Sequence, residues 1–301
     1  MNKQKIAVVV PTIRDIEPFL NEWGILFARH KVTLYIVHDG VSPTVEVNKY
    51  VLPTVPTEFL YVSDVMGEYA DLIYNYNDGV RNLGFAQAYK DGADVIISLD
   101  DDVTPEGDTI TEHLIQLERE VPISWMNTTE ENFMRGFPYN VRKEANVVLS
   151  HGVWKGVADF DASTQLVIGT PEQTPIKTVV PRGVLFPMCI MNVAFKRFVM
   201  PFMYQAPMGK QLDIDYNVSN LNRFADIWGG IEAKGDIDNK GWAVVTGYAV
   251  VNHQRASDPL VNLQKEARGV GMNEEYGEHA YFSFFKKKRE RWQEFLKQFE
   301  Q

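Results

Sequence analysis

Through the first third of the chain, short apolar runs alternate with longer stretches of helical periodicity, the pattern of a parallel sheet covered by helices. Residues 6–10 (Ile-Ala-Val-Val-Val) predict a first strand. Ile16, Phe19, Leu20, Trp23, Leu26 and Phe27 predict a helix over 15–29, with Asp15 placed to cap it. Val32 to His38 predicts a second strand closed by the turn pair Asp39-Gly40, and residues 59–62 a third. Residues 69–90 mix helical periodicity with polar breaks. The most strand-like run, Asp94 to Leu99, leads directly into Asp100-Asp101-Asp102.

Beyond residue 105 the pattern changes. An amphipathic helix is predicted over 109–120, then a patchwork of short strands and loops rich in Gly, Pro, Trp and Met over 121–242, the kind of region that builds a site over a sheet. Residues 243–251 return to a strand pattern. Phe285, Trp292, Phe295 and Phe299 fall on one face of a terminal helix, with Lys286 to Arg289 and Arg291 mostly on the other. No repeat, low-complexity tract or linker divides the chain. One α/β domain over 1–280 is expected, with 281–301 as an amphipathic helix packed on it or extending from it.

Composition narrows the classes. With 301 residues, 45% hydrophobic and 23% charged, the chain is too apolar for intrinsic disorder. No run reaches the roughly 18 apolar residues of a membrane span, and the apolar run after Lys5 is too short for a signal peptide. The single cysteine, Cys189, excludes an internal disulfide and a Cys-rich zinc site, which fits a reducing, cytoplasmic location. Its apolar surroundings predict a packing residue rather than a nucleophile. A net charge of −10 gives no general attraction to phosphate, so a nucleic-acid partner is not indicated; the run 286–291 is the one local exception and reads first as a solvated helix face.

Three aspartates after a buried strand are the strongest chemical signal, because the carboxyl ends of parallel strands open into the ligand crevice. In extended geometry Asp100 and Asp102 point the same way, and two carboxylates so placed can hold Mg²⁺ or Mn²⁺, which neutralises a diphosphate leaving group. His253, after the 243–251 strand, could complete such a site with Asp102, although a lone histidine is more often simply hydrogen bonded. Arg14, Arg81, Arg135, Arg142, Arg182 and Arg255 are candidates for phosphate or sugar contacts. Arg135 and Arg142 stand in an apolar, turn-rich segment that favours a fixed guanidinium. Asp159 and Asp161 alternate with Phe160, so as a strand both would face one side, to bind sugar hydroxyls or to cap a turn.

Taken together, the ordered blocks resemble the reversibly glycosylated polypeptide family of plants, whose members act as UDP-arabinopyranose mutases on a glycosyltransferase-A type fold. The blocks begin with Val10-Pro11-Thr12-Ile13-Arg14, Val37-His38-Asp39-Gly40 and Arg81-Asn82-Leu83-Gly84, and reach Leu99-Asp100-Asp101-Asp102. They continue through Arg135-Gly136-Phe137-Pro138, Ser150-His151-Gly152 and Asp159 to Gln165. The longest is Pro181 to Asn192, followed by Asp226-Ile227-Trp228 and His253 to Leu263. The chain departs from the family in three places. Ala225 precedes Asp226 where two adjacent acids are usual, residues 127–132 differ, and Ile190 replaces a usual glycine.

The resemblance implies a glycosyltransferase-A like, Rossmann-like central mixed sheet flanked by helices. It implies that Pro11, Thr12, Arg14, Asp39, Gly40, Arg81 and Gly84, with Asp100 and Asp101, bind the nucleotide of a UDP-sugar. Asp100 and Asp102 would hold the metal (the DXD motif), with His253 as a third protein contact. Arg135 would carry the sugar transiently, and Asp226, Asp159 or Asp161 would orient or deprotonate it, since a guanidinium is a poor nucleophile. Self-association is a further implication. The alternative activity is metal-dependent transfer from a UDP-sugar to an external acceptor such as a glycan, a protein or a modified nucleobase, and a third reading is a non-catalytic UDP-sugar-binding partner.

Overall fold

The computed structural model describes residues 4–39, 46–51, 56–122, 132–139, 142, 144–171, 174–209, 212, 215, 221, 223–254, 258–267 and 269–300. Strands β1 (Ile6–Thr12), β2 (Thr33–His38), β3 (Glu46–Val51), β4 (Pro56–Tyr61), β5 (Val95–Leu99), β6 (Val103–Pro105), β7 (Glu120–Pro122), β8 (Glu144–Gly156), β9 (Thr178–Val180), β10 (Asn192–Lys196) and β11 (Ala243–His253) form one mixed sheet. Its order is β4-β3-β2-β1-β5-β10-β8-β11-β6, with β7 added to β8 and β9 to β11. The pairs β1/β2, β1/β5 and β8/β11 are parallel and the others antiparallel. This is the expected α/β class, a large mixed sheet flanked by helices, compatible with a single glycosyltransferase-A like domain.

Helices are α1 (Glu17–His30), α2 (Val62–Met66), α3 (Asn82–Lys90), α4 (Thr109–Leu117), α5 (Ala162–Ile168), α6 (Ala225–Asn239), α7 (Pro259–Glu266), α8 (Val270–Glu274) and α9 (Ala280–Lys297). Side chains alternate across a strand, so β1 feeds two cores. Ala7 and Val9 join the core under α3, α6 and α9, whereas Ile6, Val8 and Val10 join the core under α1 and α4. Gly84 exists for this packing: a Cβ there would lie 2.5 Å from Val9 Cγ1 and 2.8 Å from Val37 Cγ2, so only glycine lets α3 lie against β1 and β2. The apolar side of α9, including Tyr281, Phe285, Trp292 and Phe295, is buried in the same core as α3.

Two elements differ from the pattern read in the sequence. The stretch expected to be short strands and loops holds the 13-residue β8 and the 15-residue α6. Helix α6 lacks an amphipathic stripe because its buried side carries glycines and charges: Gly230 lies against the Met188 backbone, and buried Lys234 is satisfied by Asp238 (2.6 Å) and the Pro181 carbonyl (3.0 Å). Among the described residues no helix is long and apolar enough to cross a membrane.

Candidate functional site

The carboxyl ends of β1, β2 and β5 open into a cleft of about 320 Å³. Its walls are Pro11 and Thr12 at the end of β1 with Ile13 and Arg14 after it, Asp39 after β2, Tyr76, Asn77, Asp78 and Val80 before α3, and Asp100, Asp101 and Asp102 after β5. Seven of the residues expected at a nucleotide or metal site therefore share one cavity: Pro11, Thr12, Arg14, Asp39, Asp100, Asp101 and Asp102. Gly40 and Arg255 lie outside the described residues, as do residues 127–131 of the segment that departs from the family.

The acid turn is fixed at both ends. Asp100 donates its backbone N–H to the Met191 carbonyl (3.2 Å), and the buried indole of Trp23 on α1 donates to the Val103 carbonyl (2.8 Å). Because the chain turns at 101–102 rather than extending, Asp100 and Asp102 are not directed together as alternation predicted. Asp100 accepts from Arg81 (2.8 Å), which also donates to Ser98 (2.6 Å). Arg81, 1% exposed, is thus a buried strut beneath the cleft and not part of its wall. Asp101 accepts from the Thr12 hydroxyl (2.6 Å) and from Arg14 (2.7 Å). Burial raises the Asp101 pKa, opposed by these two partners and reinforced by Asp102 and Asp100. Asp102 lies 3.6 Å from Arg14 and 3.8 Å from His253 Nε2.

His253 reaches Asp102 because β11 pairs antiparallel with β6, setting His253 opposite Val103. Its Nδ1 bonds the Val157 carbonyl at 2.8 Å, and a carbonyl only accepts, so Nδ1 carries the proton. In the neutral ring Nε2 then presents a lone pair to a carboxylate. Among the described residues, however, no group of three or more His, Cys, Asp or Glu side chains is arranged to hold a metal ion. The expected trio Asp100, Asp102 and His253 is divided, because Arg81 engages Asp100.

A second set of acids begins with Asp78 of the cleft wall. Enclosure raises Asp78 from its ordinary value to about 6, against the pull of Arg81 and with Asp100 and Asp159 adding to the rise. Enclosure, then Asp78 and Asp159, pushes Asp226 well above the carboxylate range. These groups sit on a concave surface: protein surrounds them, yet 47% of the Asp78 side chain stays accessible. Cys189 is partly buried and is held as the thiol by burial first and by the charges of Asp159 and Asp226 next. It packs against the core under α1 and α4, as its apolar neighbours suggested, at the edge of this acidic corner.

Asp159 and Asp161 part company. Asp161 caps α5, accepting from the Thr164 N–H (2.9 Å) and hydroxyl (2.6 Å), bonds that lower its pKa. Arg142 is fixed, stacked on Tyr139 (3.9 Å) and donating to the Phe137 carbonyl (2.8 Å). Arg135 is exposed at the turn before Gly136 and is not in the cleft wall. Arg182 is exposed as well. Tyr76, Asn77 and Asp78 were missed by sequence reasoning; the signal present was the turn-forming string Asn75 to Gly79, which carries no chemistry by itself.

The family model described as reversibly glycosylated polypeptide matches residues 1–289. The chain belongs to the reversibly glycosylated polypeptide family. Similar members of this family include "Probable UDP-arabinopyranose mutase 4" of Arabidopsis thaliana, 33% identical over 297 residues that cover 91% of this chain and 76% of the relative. "UDP-arabinopyranose mutase 3" of the same plant is 32% identical, covering 91% and 77%. "UDP-arabinopyranose mutase 1" of Oryza sativa subsp. japonica is 31% identical, covering 91% and 76%. In this member of the reversibly glycosylated polypeptide family the cleft is formed by the Val10–Arg14 and Leu99–Asp102 blocks, far apart in sequence and adjacent through β1 and β5.

Proposed function

We propose that the protein is a UDP-arabinopyranose mutase-like enzyme that interconverts the pyranose and furanose forms of a UDP-pentose. The observation that carries the reading is the convergence of Thr12, Arg14, Asp39 and the three acids on one cavity at the carboxyl ends of β1, β2 and β5, in a chain whose relatives bear the mutase name. Arg14 brings a permanent positive charge to that cavity for diphosphate oxygens. Arg81 acts from beneath, holding the Asp100 carboxylate in place.

A divalent cation, Mg²⁺ or Mn²⁺, fits the donor set at Asp102 and His253, where a carboxylate and an imidazole lone pair face each other at 3.8 Å. Those two residues, and Asp100 once released from Arg81, would hold it, with diphosphate oxygens and water completing the shell. Bound there, the ion would supply charge neutralisation for a departing UDP. Asp226, whose carboxyl proton burial holds tightly, and Asp159 beside it are the residues we assign to proton transfer at the sugar and its carrier. Arg135 is the proposed carrier, on the family resemblance. Cytoplasmic location and self-association are proposed on the same ground.

One observation favours a second reading. Arg135 stands exposed and outside the cleft wall, the arrangement expected if the sugar passes to an external glycan, protein or modified nucleobase. Incubation with UDP-arabinopyranose and Mn²⁺, followed by separation of the nucleotide sugars and intact mass measurement, tests both. The mutase gives the furanose form and a pentosyl adduct that disappears in Arg135→Ala. Release of UDP only when an acceptor is added supports transfer. An Arg135→Ala protein that still forms furanose at the full rate removes Arg135 from the mechanism.

A further inference from the structure

The mutase reading gives no role to one side chain of the cleft wall. We propose that Tyr76 is the platform on which the uracil ring of the bound nucleotide stacks, an inference that rests on the UDP-sugar reading above.

Tyr76 has a backbone φ of +61°, in the left-handed region that residues with a bulky side chain seldom enter. The other described non-glycine residue with positive φ, Lys31, caps α1, where that conformation is an ordinary way to end a helix. Tyr76 ends no helix. Such a conformation persists where the surroundings over-determine it, and it concentrates at ligand sites. Here the Tyr76 N–H donates to Asp39 Oδ1 (2.7 Å), which ties the residue to the end of β2. The neighbouring Asn77 amide donates to the carbonyls of Asn75 (2.8 Å) and Met208 (3.2 Å), and its oxygen accepts from Gly79 (2.8 Å). These bonds hold a tyrosine ring in the cleft wall with 61% of the residue exposed.

The position along the cleft identifies what the ring meets. The strand order β2-β1-β5 places the acid turn at one end of the opening and the Asp39–Tyr76 pair at the other, two strand spacings or about 10 Å away. Arg14 contacts Asp101 and approaches Asp102, so the fixed positive charge, and any cation at Asp102, lies at the acid end. The diphosphate belongs there. The base, which carries no charge and presents a flat π face, is left the end where the Tyr76 ring stands in the wall, and base–aromatic stacking is worth about 1–3 kcal/mol, or roughly 5- to 150-fold in affinity.

Calorimetric titration of UDP, uridine and inorganic pyrophosphate, at one Mn²⁺ concentration, into the unsubstituted protein and into Tyr76→Phe, Tyr76→Ala and Tyr76→Asn tests this. Asparagine tolerates left-handed backbone, so Tyr76→Asn separates loss of the ring from backbone strain. Tyr76→Ala and Tyr76→Asn are expected to weaken UDP and uridine by the same factor, about tenfold or more, and to leave pyrophosphate unchanged, whereas Tyr76→Phe keeps nucleotide affinity. UDP affinity within twofold of the unsubstituted protein in both variants overturns the proposal, and so does a parallel loss of pyrophosphate, which would mark Tyr76 as a loop support. An unsubstituted protein that binds pyrophosphate but neither UDP nor uridine overturns the nucleotide-sugar reading itself.

Discussion

Two runs of like charge, the acids 100–102 and the bases 286–291, stand out in the sequence, and the fold treats them in opposite ways. The acids are gathered at the mouth of a cavity, where burial, with Asp102 and Asp100 beside it, raises the Asp101 pKa and where Arg14 and Arg81 reach them from the wall and from beneath. The bases are spent on the chain itself. Lys288 and Arg291 pair with Asp71 (2.7 and 3.1 Å), and Arg289, mostly buried, pairs with Glu232 and Asp236 on α6. The basic run fastens α9 to the domain and offers little free charge to a nucleic acid. A charge run signals a site when the fold crowds like charges into a concavity, and a surface or a clasp when it distributes them among opposite ones.

The sharpest way to break that contrast is at Arg81, the buried cation that holds the acid end together. Arg81→Met removes the partner of Asp100 and the bond to Ser98, and should cost about 3 kcal/mol in urea unfolding, with loss of sugar turnover. A variant of near-normal stability would show that the acids do not depend on it.

Gly84→Val comes next. Its side chain would drive into Val9 and Val37, and overpacking of this kind costs about 1–3 kcal/mol. Thermal or urea denaturation reads it; an unchanged stability with weakened UDP binding would instead make Gly84 a nucleotide contact.

A smaller effect is expected at Asp78. Its pKa is raised in the folded protein to about 6, so it binds a proton more tightly folded than unfolded. The stability this contributes is complete below about pH 4 and is lost as pH rises through 6. Asp78→Asn should therefore match the unsubstituted protein near pH 4 and exceed it by about 1 kcal/mol near pH 7, a modest figure because 47% of the side chain is accessible. A gain confined to acid pH would reverse the assigned sign.

The least effect should follow Lys286→Gln with Lys287→Gln on α9, within about 0.5 kcal/mol in unfolding and without change in turnover. A large loss of turnover would mean that the basic run serves the reaction.

The contrast also shows what a sequence discloses. Strands β1, β2 and β5 were legible because each is a short apolar run ended by turn or acidic residues, and their parallel pairing brings Thr12, Arg14, Asp39 and Asp100 to one edge. Helix α6 was not, since Gly229, Gly230 and buried Lys234 erase the stripe that marks a surface helix. Asp15, expected to cap α1, accepts the Glu17 N–H (3.0 Å) from one position before the N-cap residue, Ile16. Asp78 and Tyr76 were invisible because a turn string gives no direction to its side chains. Arg81 was recognised as a site residue, but its complete burial depends on Ser98 and Asp100, which only the folded sheet supplies.

Hydrogen exchange of the protein with and without saturating UDP and Mn²⁺ tests most directly that the opening at the ends of β1, β2 and β5 receives the nucleotide. The account predicts that protection rises in residues 11–14, 76–80 and 100–103 and changes least in the segment around Arg135. Protection gained around Arg135 while those three stretches exchange as before would contradict it.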